Sequence, residues 1–231
     1  MALSLLALQL LNYFCTMKFF NLHTHHYTNQ PDILELVNQY PHEFNNLVPN
    51  YSIGIHPWYI VEDRIEADFE ILESKLADKK CLAIGECGLD KRIAISMDLQ
   101  QNIFEKHLAL AEKYQKPVII HCVAAFQELI AITKKRKVSV PMIVHGFSKN
   151  ELVAKELLAN GFYLSFGKWL ILNPELEVVF QSVPNDRFFL ETDTITEEIQ
   201  EVYALAAKYK GLDVKTIEEI VLKNYNTVFN K

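Results

Sequence analysis

A chain of 231 residues, half of them hydrophobic and 23% charged, has enough apolar material for one large core and is neither disordered nor fibrous in composition. With 29 acidic against 23 basic residues, the net charge of −6 offers no general attraction for a polyanion, so recognition of nucleic acid would require a local positive centre. No apolar run reaches bilayer length, which argues against a spanning helix.

The first sixteen residues, MALSLLALQLLNYFCT, are apolar and uncharged, yet they lack the basic start and the small-x-small cleavage site of a signal peptide. The expectation is an N-terminal extension over 1–16 that need not be native, with Met17 as the functional start and one domain over 17–231. Phe19 to His25 reads as a short buried strand ending in His-x-His, and alternation turns His23 and His25 to one side. Pro31 and Asp32 open a helical stretch carrying Ile33, Leu34, Leu36 and Val37. A second apolar run, Tyr51 to His56, is stopped by Pro57. Ile65, Phe69, Leu72 and Leu76 then recur at helical spacing. Leu82 to Glu86 is a strand ending in an acid, and Asp98 stands where it can cap a helix running to Tyr114. Pro117 to His121, Met142 to His145, Phe162 to Ser165 and Arg187 to Asp193 are further strands. Helices over 125–135 and 151–159 separate them, the second closed by Gly161, and helices from about Thr196 and Asp213 finish the chain.

Strands alternating with helices imply a parallel sheet with right-handed crossovers. About seven such units favour closure, so the fold class is α/β: an irregular TIM barrel of one domain, with its eighth strand unassigned. Active sites of such barrels lie at the C-terminal ends of the strands. His23, His25, His56, Glu86, His121, His145 and Asp193 all fall at such ends. Each alone reads equally as a satisfied core histidine or a capping acid, but their joint placement points to a metal site. Four of these five imidazoles with the two carboxylates already exceed the needs of one tetrahedral ion and suit two divalent ions sharing a carboxylate; zinc, magnesium and manganese all suit such donors. His26, His42 and His107 read as surface residues. The cysteines Cys15, Cys81, Cys87 and Cys122 form no C-x-x-C pair and fit a reducing cytoplasm.

With these residues in place, the chain from Lys18 to about Phe229 resembles the TatD family of metal-dependent hydrolases. The resemblance rests on His23-Thr24-His25, Gly54 to Tyr59, Gly85-Glu86-Cys87-Gly88-Leu89-Asp90, Ile120-His121-Cys122, His145 to Ser148, Glu191-Thr192-Asp193 and Asn224 to Phe229. It implies that His23, His25 and Asp193 hold one metal, that His121 and His145 hold the second, that Glu86 bridges them, and that His56 contacts substrate. It further implies deoxyribonuclease activity, with 3′ to 5′ trimming of single strands in some members. Family members often carry an arginine soon after the histidine of the fourth predicted strand, where this chain reads Cys122-Val123-Ala124. The cysteine and glycine usual around the next histidine appear as Gly146 and Lys149. These departures leave the implied ligands intact and bear on substrate choice.

On this reading Glu86 and Asp193 carry the catalysis, Asp193 as acceptor of the nucleophile's proton. Lys168, with Lys91 and Arg92, stands near the predicted rim as a candidate for phosphate contact. The expected partner is DNA or another phosphodiester substrate, with neither a membrane nor an obligate protein partner indicated. An alternative keeps the site and changes the bond to a cyclic amide, a lactone or a small phosphate ester. A non-catalytic nucleic-acid-binding module has only the run Lys134-Lys135-Arg136-Lys137 in its favour, and that run is more simply a solvated helix end.

Overall fold

Strands β1 (Phe19–Thr24), β2 (Ile33–Gln39), β3 (Tyr51–Ile53), β4 (Cys81–Asp90), β5 (Val118–Val123), β6 (Met142–Val144), β7 (Tyr163–Phe166) and β8 (Phe188–Leu190) pair in parallel, in the order of the sequence. The structure is a computed structural model that describes residues 18–230; the expected extension over 1–16, the start at Met17 and Cys15 lie outside the described residues. Helices α1 (Ile65–Lys75), α2 (Met97–Tyr114), α3 (Phe126–Arg136), α4 (Glu151–Ala159), α5 (Lys168–Leu172), α6 (Leu176–Ser182), α7 (Ile199–Lys210) and α8 (Val214–Phe229) follow β3 to β6 singly and β7 and β8 in pairs. The fold is the expected TIM barrel, and no described helix is long and apolar enough to cross a membrane.

The eighth strand is β2, in the stretch expected to be helical. Ile33, Leu34, Leu36 and Val37 fit a helical stripe, but the run is only seven residues long and buried on both faces. A parallel strand enclosed on both sides loses the alternation that normally identifies it. Two smaller differences concern helix starts. Ser96 rather than Asp98 caps α2, its hydroxyl accepting from the Leu99 amide at 3.3 Å, and Asp98 sits inside the first turn, where its charge suits the dipole. The helix expected from about Thr196 begins at Ile199.

The barrel closes where β1 meets β8. Thr24 and Asp193 form an isolated parallel bridge: the His25 amide donates to the Asp193 carbonyl at 3.1 Å, and the Asp193 amide donates to the His23 carbonyl at 2.9 Å. Outside this seam, Phe20 and Phe189 pack edge-on against Tyr225 and Phe229 of α8, and the buried Tyr203 hydroxyl of α7 bonds both the amide and the carbonyl of Phe20 at 3.0 Å. Asn224 ties α8 to the start of β8 by donating to the Phe188 carbonyl at 2.9 Å.

Two strands carry an extra residue where they face the barrel mouth. In β1 the register slips between Asn21 and Thr24, and in β4 between Ile84 and Cys87, one residue each against their neighbours. Such bulges re-aim side chains, and these two fall at His23 and at Glu86. At Gly88 (φ 148°) a Cβ would sit 2.0 Å from the His121 carbonyl, so only glycine lets β5 approach β4 closely enough to bring His121 beside Glu86.

Candidate metal centre

Glu86 is the hub. It is buried, its amide is held by the Asn38 side chain at 2.8 Å, and its two oxygens face opposite groups of imidazoles. Oε1 lies 2.8 Å from His145 Nε2, 2.9 Å from His121 Nδ1 and 3.0 Å from His56 Nε2. Oε2 lies 3.3 Å from His23 Nε2 and 3.9 Å from His25 Nε2. Asp193, at a left-handed φ of 56°, turns Oδ1 to His25 at 3.5 Å and to His23 at 3.7 Å. The seven residues expected at the strand ends thus converge on one spot.

Two buried carboxylates not given a role from the sequence stand behind the imidazoles. Asp90 Oδ2 lies 3.3 Å from His121 Nε2 and accepts the Trp58 indole N–H at 2.7 Å. Glu191 Oε1 lies 3.5 Å from His145 Nδ1 and accepts the Gly146 amide at 2.7 Å. Strand alternation carries the signal for both: Glu86, Gly88 and Asp90 share one face, as do Glu191 and Asp193. A carboxylate on the far nitrogen fixes tautomer and ring orientation, as it does for metal-ligating histidines generally.

His56 differs from the other imidazoles. Its Nδ1 accepts the Trp58 amide at 3.1 Å, so that nitrogen is unprotonated and Nε2 carries the hydrogen, aimed at Glu86. Burial, against the opposing charge of Glu86, holds the ring below the ordinary histidine range. A neutral ring with Nε2–H is a hydrogen-bond donor into the pocket rather than an open ligand.

Burial alone would push Glu86 up, but the facing His145, His56 and His121 outweigh it and hold the carboxyl well below its ordinary range. His145 shows the converse: burial pulls it down, and Glu86 and Glu191 carry it well above an ordinary histidine. Burial opposes ionisation of Asp193 too, and His25, His23 and His145 lower it nonetheless. The donors fit a cation. His23 is fully buried with neither ring nitrogen in a hydrogen bond, a costly state for a polar group unless something positive is bound there. Ligand atoms of His23, His25 and Asp193, of His23, Glu86 and His145, and of His56, Glu86 and His121 lie within 4.8 Å of one another in each trio.

The centre opens into a pocket of about 350 Å³ walled by Tyr40, Trp58, Tyr59 and Lys168. Lys168 therefore lines the pocket as expected, whereas Lys91 is taken by Glu128 at 2.6 Å. The run Lys134 to Lys137 ends α3, at the barrel end away from this mouth, with Arg136 paired to Glu112 at 3.0 Å. Of the three histidines expected on the surface, His26 is exposed and His42 is half-buried, stacked on Tyr40. His107 corrects the expectation: it is fully buried, bonded to the Ile103 carbonyl at 2.8 Å and accepting the Ile55 amide at 3.0 Å.

Known proteins resemble this chain in sequence and in fold. The family profile described as TatD related DNase matches residues 13–230. A metal-dependent hydrolase of Bacillus subtilis, YabD, is 35% identical over 146 residues, 62% of this chain and 57% of that protein, so the match spans little more than half of its length. YcfH of Escherichia coli K12, also described as a metal-dependent hydrolase, is 29% identical over 205 residues, covering 81% of this chain and 76% of its own. Among solved structures, the TatD homolog YJJV from Escherichia coli K12 superposes with a TM-score of 0.79 at 21% identity, over 94% of this chain and 99% of that one, which is a likeness of fold.

Proposed function

The chain belongs to the TatD related DNase family, and from that premise we propose that it is a two-metal phosphodiesterase acting on DNA. The observation that carries the proposal is the division of labour at Glu86. One oxygen turns to His121 and His145 and the other to His23 and His25, as a bridging carboxylate between two cations requires. On this reading His23, His25 and Asp193 hold one ion, and His121 and His145 hold the other.

Two divalent ions in that position supply water acidic enough to attack near neutral pH, together with positive charge against the phosphoryl oxygens. The remaining steps fall to the chain. Asp193, kept ionised by the neighbouring imidazoles, spends Oδ1 on His23 and His25; its second oxygen receives the proton of the attacking water and returns it to the leaving oxygen. His56 shares its Nε2–H, which lies 3.0 Å from Glu86 Oε1, with a non-bridging oxygen of the phosphate, and the Lys168 ammonium balances charge on the same group. Trp58, anchored to Asp90 yet 58% exposed, offers a face on which a base can stack.

The test combines elemental analysis with hydrolysis of 3′-labelled single-stranded DNA by metal-reconstituted protein. About two ions per chain and release of the 3′ label from the strand are expected. Turnover of a cyclic amide or lactone with the oligonucleotide left intact would move the function to the alternative bond class.

A further inference from the structure

A second cleft, of about 170 Å³, adjoins the pocket across His121, His145 and Asp193. Its outer wall carries Arg92, Ser148, Lys149 and Trp169. Arg92 is exposed and Lys149 half-buried, and neither side chain forms an ion pair or a hydrogen bond among the described residues. Lys91, next to Arg92 in the chain, is by contrast held by Glu128, so the two cations facing the cleft are left uncompensated in a chain where acids outnumber bases. The cleft has one carboxylate in its lining, Asp193, and that group is turned to His23 and His25. Two unpartnered cations of different shape, a planar fork and a point charge, facing one small cleft make a site for an oxyanion. The sequence departures noted above also meet here. Cys122 and Val123, where an arginine is common, and Lys149, where a glycine is usual, line the same cleft, so charge missing from the strand has a counterpart on the loop opposite.

We propose that Arg92 and Lys149 form a second phosphate subsite, holding the phosphate one nucleotide away from the one at Glu86. This rests on the phosphodiesterase reading of the metal centre and narrows its substrate to strands with a neighbouring phosphate on at least one side of the scissile bond. A mononucleoside diester would fill the pocket and leave the subsite unused.

The experiment measures binding, so that it does not depend on turnover. Thymidine 3′,5′-bisphosphate and the two thymidine monophosphates are titrated calorimetrically into metal-loaded protein. The bisphosphate is expected to bind about tenfold tighter than the better monophosphate, one charge-assisted contact being worth at least that factor. In the double variant Arg92→Gln/Lys149→Gln the ratio should collapse to about one, and in Lys149→Arg it should persist. A ratio near one in the wild-type protein, or a ratio that survives in the double variant, would overturn the subsite. If the ratio behaves as expected while single-stranded DNA is not cleaved, the subsite stands and the phosphodiesterase reading falls.

Discussion

The two halves of the centre are built by different means. On the β5 and β6 side, His121 and His145 are each backed by a buried carboxylate, Asp90 and Glu191, so their rings are oriented by side chains. On the β1 and β8 side, His23 and His25 have no such backing among the described residues. They are placed by main chain, through the two hydrogen bonds that join the Asp193 peptide to His23 and His25. One half is preorganised locally by its second layer of ligands; the other is only as well placed as the closure of the barrel. The difference teaches that similar imidazoles can be held by support of very different range.

Glu86 is common to both halves, so its loss should give the largest effect. On the proposed two-metal reading, Glu86→Ala is expected to remove both ions and lower hydrolysis by about 1,000-fold or more, roughly 4 kcal/mol of barrier; elemental analysis beside a nuclease assay checks it. Wild-type turnover with unchanged metal content would remove Glu86 from the role of bridge. Asp193→Asn comes next and should break the symmetry: activity falls on the order of 100-fold or more through loss of the base, and metal is lost from the seam half alone, leaving one ion per chain by mass spectrometry under native conditions. Asp90→Asn and Glu191→Gln test the backed half, with metal affinity weakened about 10- to 100-fold in competition against a chelator. If these variants instead loosened the ion beside His23, the division between the halves would be wrong.

The smallest effect concerns neither half directly but the residue beneath His56. His107 accepts the Ile55 amide, which requires a bare Nε2, and burial, outweighing its bond to Ile103, lowers its pKa to about 4. The unfolded chain takes up that proton near pH 6.5 and the folded chain only near 4. The unfolded state therefore binds more protons across this window. The contribution of His107 is present in full above pH 6.5 and is lost as pH falls, by about 2 kcal/mol at pH 5. Denaturant titrations at pH 7 and pH 5 should show the loss, and His107→Gln should flatten it.

Legibility in the sequence followed the same physical lines. The residues that converge on Glu86 were readable because a strand run followed by a histidine or an acid is a local pattern, as at Ile120-His121 or Val144-His145. The strand β2 was not, since Ile33 to Val37 serve either period when both faces are buried. His107 was misplaced even though Ile103, His107 and Ala111 form one stripe of α2, because a polar residue on an apolar face is read as solvated until its partner, here a distant amide, is known. The bulges at His23 and Glu86 are properties of paired strands, and no single strand's sequence states them.

The seam also bears on the order in which the protein is made. On the proposed ligand set, His23 and His25 leave the ribosome with the first described strand, while Asp193 emerges only after all eight strands have been translated. Until then the nascent chain holds a partial ligand set that cannot position a nucleophile. On that reading hydrolytic competence arrives only with the residues that follow the final strand, and a product truncated before them lacks the seam half of the centre.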